Sequence, residues 1–419
     1  MHAIAIDLGT TTLAASLIDA SSGKRLSMAS VCNPQRRFGL DVVSRLAAAV
    51  NSSSASQEMT ILARKELFRL CRKLCASVGT PWEDIRCVAI AGNSVMEHLL
   101  LGLPIDRLAL PPFRPVTTSG THTTSAALGW PGSVDVYVFP MPSGFVGGDA
   151  VAFLLGDILS PSPRKRCALL LDLGTNAEIA LTDRENIWAT SAAAGPAFEG
   201  GNISCGMPAV PGAITSITIE EERLQTGVAG NIAPTGICGS AVIEMIAQLV
   251  RLGIIESDGR IVDRDEIPSN LGERVIPNTE GNAFIFYRDA NKTLTLTQED
   301  VRQFQLAVSA VRAAIEILFR KSGLSASLLE RVELTGSFGC MLRAEWLETI
   351  GILSGAMTGL ASFSSNGALA GVETAVFCDD QFVAAERMAE KFRVIPLSGS
   401  PEFEELFLEY INFPKNKHK

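Results

Sequence analysis

Two short runs of residues have the makeup of a polyphosphate cradle. The first is Asp7-Leu8-Gly9-Thr10-Thr11-Thr12; the second is Asp172-Leu173-Gly174-Thr175-Asn176. Backbone N–H groups in a glycine turn can point at phosphate oxygens with no Cβ in the way. The hydroxyls of Thr10, Thr11, Thr12 and Thr175 can add hydrogen bonds. Asp7 and Asp172 would be repelled by phosphate itself. Their chemistry suits Mg2+ held through water, or the orienting of an attacking water. Two such turns facing each other would hold the β- and γ-phosphates of ATP from both sides. Taken singly, each run is a plain hairpin turn. The repetition argues otherwise, because the contexts repeat as well. Apolar Ala3–Ile6 precedes the first run and mostly apolar Leu13–Ile18 follows it. Apolar Ala168–Leu171 precedes the second, and Ala177–Leu181, apolar except for Glu178, follows it. Each copy reads as strand, carboxylate, glycine turn, strand.

A third glycine-rich turn follows an apolar run at Val332-Glu333-Leu334-Thr335-Gly336-Ser337-Phe338-Gly339. Glycine there would let the chain pass flat against a ring or a ribose; an ordinary strand-to-helix turn reads the same way. Gly147-Gly148-Asp149 opens a predicted helix. Asp149 is either a charge on the helix dipole or a third carboxylate that activates water.

The elements that must position these turns follow from periodicity and punctuation. A helix is predicted over about 57–78, strands at 87–90 and 136–139, and a surface loop over about 111–133. A helix spans about 240–252, with Val242, Met245, Ile246 and Leu249 on one face and Gly253 as its stop. Another begins at Thr297-Gln298-Glu299-Asp300, a capping-box pattern, and ends at Ser322-Gly323. Ser160-Pro161-Ser162-Pro163 reads as a linker or as an ordinary surface loop. Strands alternating with helices give α/β layers. We expect one lobe over 1–160, completed by about 365–419, and a second over 164–364.

Composition removes several classes of function. With 419 residues there is room for two cores, and 47% hydrophobic with only 6% aromatic residues makes them aliphatic. A net charge of -9 argues against nucleic acid; the basic Lys415–Lys419 end reads as a frayed tail. No apolar run is long enough to span a bilayer, and the start runs directly into Ala3-Ile4-Ala5-Ile6-Asp7, so a cytoplasmic protein is expected. Nine scattered cysteines without any C-x-x-C, and four unclustered histidines, lead us to expect no intrinsic iron–sulfur or zinc site. Cys71 and Cys75 share a helix face, where buried small hydrophobes are the simpler reading than a metal pair.

In this order the three turns resemble the phosphate-1, phosphate-2 and adenosine motifs of the acetate kinase, sugar kinase, chaperone and actin superfamily. Residues 144–156 resemble its first connecting helix and Gly367-Ala368-Leu369-Ala370-Gly371 its second. The fold so implied is α/β, a two-lobed actin-like ATPase of duplicated ribonuclease H-like domains. Gly336, Ser337 and Gly339 would lie along the adenosine. A narrower resemblance rests on Asn33-Pro34-Gln35 with Phe38–Arg45, Gly92–His98, Ala193–Gly200, Cys205-Gly206-Met207, Gly236–Ser240 and Phe403–Pro414. These are similar to the reductive activators of corrinoid-dependent methyltransferase systems, with Gly-Pro-Ala-Phe-Glu-Gly the most specific block.

That resemblance implies an ATPase that docks a corrinoid protein and couples ATP use to the return of inactive cobalt(II) to cobalt(I). Members usually carry a ferredoxin-like iron–sulfur domain beside this core. None stands in these residues, so electrons from a separate iron–sulfur donor are expected. The second turn is usually followed by Asn-Gly-Glu where this chain has Asn176-Ala177-Glu178, a minor departure unless position 177 needs a positive φ. A homodimer is an open assembly. Two rivals share the fold: a small-molecule kinase, and a non-catalytic module gated by nucleotide.

Overall fold

A parallel strand buried on both faces must be apolar along its whole length, and the first turn sits at the end of such a strand. The computed structural model describes residues 2–158, 167–183, 185–230, 232–336, 342–377 and 382–415. Ser337, Gly339 and the 160–163 segment lie outside them. The first strands are β1 (His2–Leu8), β2 (Thr12–Asp19), β3 (Arg25–Cys32), β4 (Ile85–Gly92), β5 (Thr121–Thr124) and β6 (Asp135–Val138). They form one sheet in the order β3-β2-β1-β4-β6-β5. β1 runs antiparallel to β2 and parallel to β4. Ala3 to Ile6 are fully buried, as their place between β2 and β4 demands.

The helix predicted over 57–78 spans Ser53–Val78, starting a turn earlier because Ser52 caps it. The 111–133 stretch is less of a surface loop than its composition suggested. It contributes edge strand β5, and it buries Ser125 and Trp130. Ser125 Oγ accepts from Val134 N–H at 3.0 Å, and Trp130 Nε1 donates to Arg64 O at 2.8 Å. Trp130 also stacks on Phe68. Polar residues that pin a loop inward are not distinguished by composition from those that solvate it.

The next strands are β7 (Ala168–Leu173), β8 (Ala177–Thr182), β9 (Ile187–Ala192), β10 (Ala213–Glu220), β11 (Arg223–Val228), β12 (Gly236–Ile237), β13 (Val275–Asn278), β14 (Gly281–Arg288), β15 (Thr293–Thr297), β16 (Arg331–Gly336), β17 (Ala361–Phe363) and β18 (Phe392–Val394). The order β17-β16-β7-β8 repeats the order β6-β4-β1-β2. β16 lies parallel to β7 as β4 lies parallel to β1. β10–β12 and β13–β15 form two further three-stranded sheets.

By internal contacts the chain gathers into two units. One comprises residues 1–165, 182–190 and 366–396; the other comprises 166–181, 191–365 and 397–419. The closing stretch therefore divides at about 396. In the second unit, helix Pro401–Glu409 packs on helix Gln298–Ser322, where Gln305 Nε2 donates to Ile411 O at 3.0 Å. In the first unit, helix Gly367–Phe377 packs tightly on helix Gly148–Ile158. A Cβ on Gly371 would stand 1.6 Å from Ala152 O, so only glycine permits that crossing. These are the stretches read as connecting helices. Among the described residues no helix is long and apolar enough to cross a membrane.

Candidate active site

In the first unit the turn after β1 is held from outside by two asparagines. Asn33, fully buried, donates from Nδ2 to Gly9 O at 2.9 Å, and its backbone N–H donates to Thr11 O at 2.8 Å. Asn93 caps helix Ser94–Leu101. Its Oδ1 accepts from Met96 N–H at 3.0 Å, which leaves Nδ2 to donate to Thr10 Oγ1 at 2.9 Å. The turn is tight: a Cβ on Gly9 would stand 2.4 Å from Thr12 O. Asp7 is half-buried at the C-terminal end of β1, in register with Ala14 and Ala91. Thr11 and Thr12 are exposed.

The blocks around 33–45 and 92–98, far apart in sequence, pack together here. Asp41 and Ser44 form a capping box. Arg45 is fully buried, donating to Gly39 O at 2.9 Å and to Met96 Sδ at 3.5 Å. Burial pulls its guanidinium down to about 10. Glu97, fully buried, accepts from Gly92 N–H at 2.9 Å through Oε1. Burial first, and the nearby Asp149 charge second, push its carboxyl well above the usual range. Asp149 lies in the first turn of helix Gly148–Ile158 and accepts from Ala150 N–H at 2.8 Å. Burial pushes its carboxyl up to about 6. That value fits a group that takes a proton near neutral pH.

In the second unit Asp172 is half-buried at the end of β7, paired in register with Thr335 of β16. Leu173 pairs with Gly336, so the ends of β7 and β16 lie side by side. Gly336 has φ 139°, a conformation that favours glycine, and with Thr335, Leu342, Phe363 and Ser364 it lines a small pocket. Thr175 is buried and its hydroxyl donates to Glu199 Oε2. Asn176 and Gly174 are half-buried, and Ala177 opens β8 in extended backbone. A Cβ on Gly174 would meet Asn176 O at 3.3 Å, far less crowded than at Gly9.

Glu199 belongs to the Gly195–Gly200 block, which three other segments support. Met207 N–H donates to Ile237 O at 2.9 Å and Ile237 N–H to Cys205 O at 2.8 Å. A Cβ on Gly239 would stand 1.7 Å from Phe198 O, and one on Gly206 1.8 Å from Gly200 O. Ser204 donates from N–H and Oγ to Asp300 Oδ1, the carboxylate that also caps helix Gln298–Ser322. Asn33, Asn93, Glu97 and Glu199 have no role assignable from spacing alone. Only their place in blocks shared with a family singles them out.

A duplicated strand–turn–strand with a carboxylate at each first strand's end is the signature of the actin-like ATPase class. Residues 166–419 match the C-terminal domain of RACo, the ASKHA domain, and residues 2–160 match the RACo middle region. The chain belongs to this family of reductive activators. It is 30% identical over 427 residues to the corrinoid activation enzyme RamQ of Eubacterium limosum, covering 99% of this chain and 71% of that protein. The [Co(II) methylated amine-specific corrinoid protein] reductase of Methanosarcina barkeri is 26% identical over 87% of this chain and 68% of its own length. The solved structure of a reductive activator for corrinoid, iron–sulfur protein superimposes with a TM-score of 0.88 at 28% identity, covering 99% of this chain and 66% of that one. The chain thus spans about two thirds of the length of these relatives.

Proposed function

We propose that this chain binds ATP with Mg2+, hydrolyses it, and uses the cycle to return a partner corrinoid protein from cobalt(II) to cobalt(I), with electrons from a separate iron–sulfur donor. The observation that carries the reading is the repeated Asp-Leu-Gly-Thr turn, each copy at the C-terminal end of a buried strand flanked by a parallel neighbour. A turn so tight that it excludes a Cβ, as at Gly9 against Thr12 O, suits backbone N–H groups aimed at a polyphosphate. Bound Mg2+ would offset phosphate charge. Asp7 and Asp172 would hold it, through water. Thr10, Thr11 and Thr12 with Gly9, and Thr175 and Asn176 with Gly174, would serve the phosphates and their cation. Gly336, Ser337 and Gly339 would lie along the adenosine. Asp149, with its raised carboxyl pKa, would take a proton from the attacking water.

The energetic need is concrete. Each ~59 mV of one-electron gap costs about tenfold, so a donor too weak for cobalt(II) must be helped. Swinging a two-state partner fully takes ~5.5 kcal/mol of differential affinity, which several charge-assisted phosphate contacts can supply.

The test measures ATP hydrolysis with and without a cobalt(II) corrinoid protein. Stimulation, with cobalt(I) appearing in the absorption spectrum once an iron–sulfur donor is added, is expected. Unchanged turnover, together with phosphorylation of an added sugar or acid, would replace the reading with a kinase. Asp7→Asn and Asp172→Asn are each expected to lower turnover by a factor of about 100 or more with an unchanged circular dichroism spectrum.

A further inference from the structure

A threonine hydroxyl has one hydrogen and two lone pairs. Whichever neighbour takes the first decides what is left for a ligand. At Thr10 the neighbour is a donor. Asn93 presents Nδ2 to Thr10 Oγ1, and the amide cannot be turned around, because its Oδ1 is occupied by Met96 N–H as the cap of helix Ser94–Leu101. Among the described residues no acceptor takes the Thr10 hydrogen, so it is available to donate. At Thr175 the neighbour is an acceptor. Glu199 Oε2 takes the hydroxyl hydrogen, so the oxygen offers only lone pairs. A donor suits a phosphate oxygen. A bare lone pair repels one, and suits a cation or its water instead.

We propose that Asn93 and Glu199 are positioning residues that give the two turns opposite polarity: Thr10 donates to phosphate, whereas Thr175 accepts from the hydrated Mg2+. This rests on the reading of the chain as a nucleotide-binding protein and deepens it. The sequence alone suggests two equivalent turns, since Asp-Leu-Gly-Thr is identical in both. The difference lies in what backs them: the cap of a helix in one, and a carboxylate on the short 3-10 turn Pro196–Glu199 in the other.

Equilibrium binding of a non-hydrolysable ATP analogue, in excess Mg2+ and in EDTA, separates the two roles. The informative quantity is the ratio of the two affinities. In Thr10→Val that ratio should stay as in wild type while both affinities fall by about tenfold, the size of a lost hydrogen bond to a charged group. In Thr175→Val the ratio should drop by about tenfold. Thr175→Ser, which keeps the hydroxyl, should restore it. Glu199→Gln keeps an acceptor oxygen and should keep most of the ratio, whereas Glu199→Ala should lose it. Equal ratios in the two valine variants, or a ratio that falls only in Thr10→Val, would overturn the proposal. So would a serine variant no better than valine. Failure of the wild-type chain to bind the analogue at all would instead refute the nucleotide reading beneath it.

Discussion

The two Asp-Leu-Gly-Thr turns carry the same four residues, yet they are supported differently. The first is gripped through its backbone as well as through the Thr10 side chain: Asn33 donates to Gly9 O and Thr11 O, Asn93 donates to Thr10 Oγ1, and Gly9 is pressed against Thr12 O. The second is tied through a side chain, Thr175 to Glu199, and Gly174 has room around it. A third carboxylate, Asp149, stands in the unit of the first turn, against the buried Glu97. The lesson is that a duplicated motif repeats the turn, while the residues one layer behind make the two copies differ. On this comparison the first turn is the more tightly packed at its glycine and the second the less.

The largest effect that would sharpen the asymmetry falls on Asp149. Removing a general base costs about 10²–10⁴ in rate, so Asp149→Asn should lower ATP hydrolysis by that order while binding of the analogue persists. The wild-type rate should fall with an acidic limb near pH 6, because the carboxyl must be ionised to accept a proton. Stability moves the other way. A carboxyl whose pKa rises from 3.8 to about 6 on folding favours the folded state when protonated, and that contribution is lost as pH climbs through this window. Asp149→Asn should therefore melt higher than wild type at pH 7, with the gain shrinking toward pH 4. A pH–rate profile with no limb near 6, or equal melting temperatures at pH 7, would remove Asp149 from this role.

Next in size is the contrast between the two turn glycines. Gly9→Ala forces a Cβ to 2.4 Å from a backbone oxygen and should cost about 1–3 kcal/mol, a melting temperature several degrees lower. At Gly174 the nearest atom is 3.3 Å away, and alanine should cost less than about 1 kcal/mol. Thermal melts of the two variants side by side decide it. Equal losses would mean the turns are equally rigid and would break the comparison.

Much of this was legible in the sequence. Continuous apolar runs ending in aspartate located β1 and β7, because a strand between two neighbours has no face to leave polar. Thr297 and Asp300 announced the capping box that starts helix Gln298–Ser322. The connecting helices are legible at 144–156 and 367–371 from resemblance, the first also from Gly147-Gly148-Asp149 as a helix start, and their glycines proved to be the point of close approach. What stayed hidden depends on long-range neighbours. Nothing local says that Asn93 turns its amide to Thr10, 83 residues away, or that Glu199 takes Thr175. The 111–133 stretch, polar by composition, contributes a strand and a buried tryptophan because Arg64 O and Phe68 wait for it. The tie of residues 397–419 to the second unit rests likewise on distant partners such as Ser257, whose carbonyl accepts from Phe413 N–H at 2.7 Å.

The smallest effect concerns Glu97, and it tests whether the wall behind Asp149 is charged. Glu97 is fully buried, its Oε2 has no hydrogen-bond partner among the described residues, and its carboxyl pKa is pushed well above the usual range. An ionised carboxylate so placed would be costly to bury without a cation; a protonated one carries no charge into the interior, and its Oε1 still accepts from Gly92 N–H. Glutamine is nearly isosteric with the neutral acid and keeps that acceptor, so Glu97→Gln should change the melting temperature by less than about 3 °C at pH 7. Glu97→Ala leaves both a cavity and an unanswered Gly92 N–H, and should cost about 2 kcal/mol or more. Because Asp149 contributes to raising the Glu97 pKa through its own charge, Asp149→Asn should bring the Glu97 carboxyl down, and the gap between glutamine and glutamate at position 97 should change in that background. A glutamine variant as unstable as alanine would show instead that Glu97 is ionised.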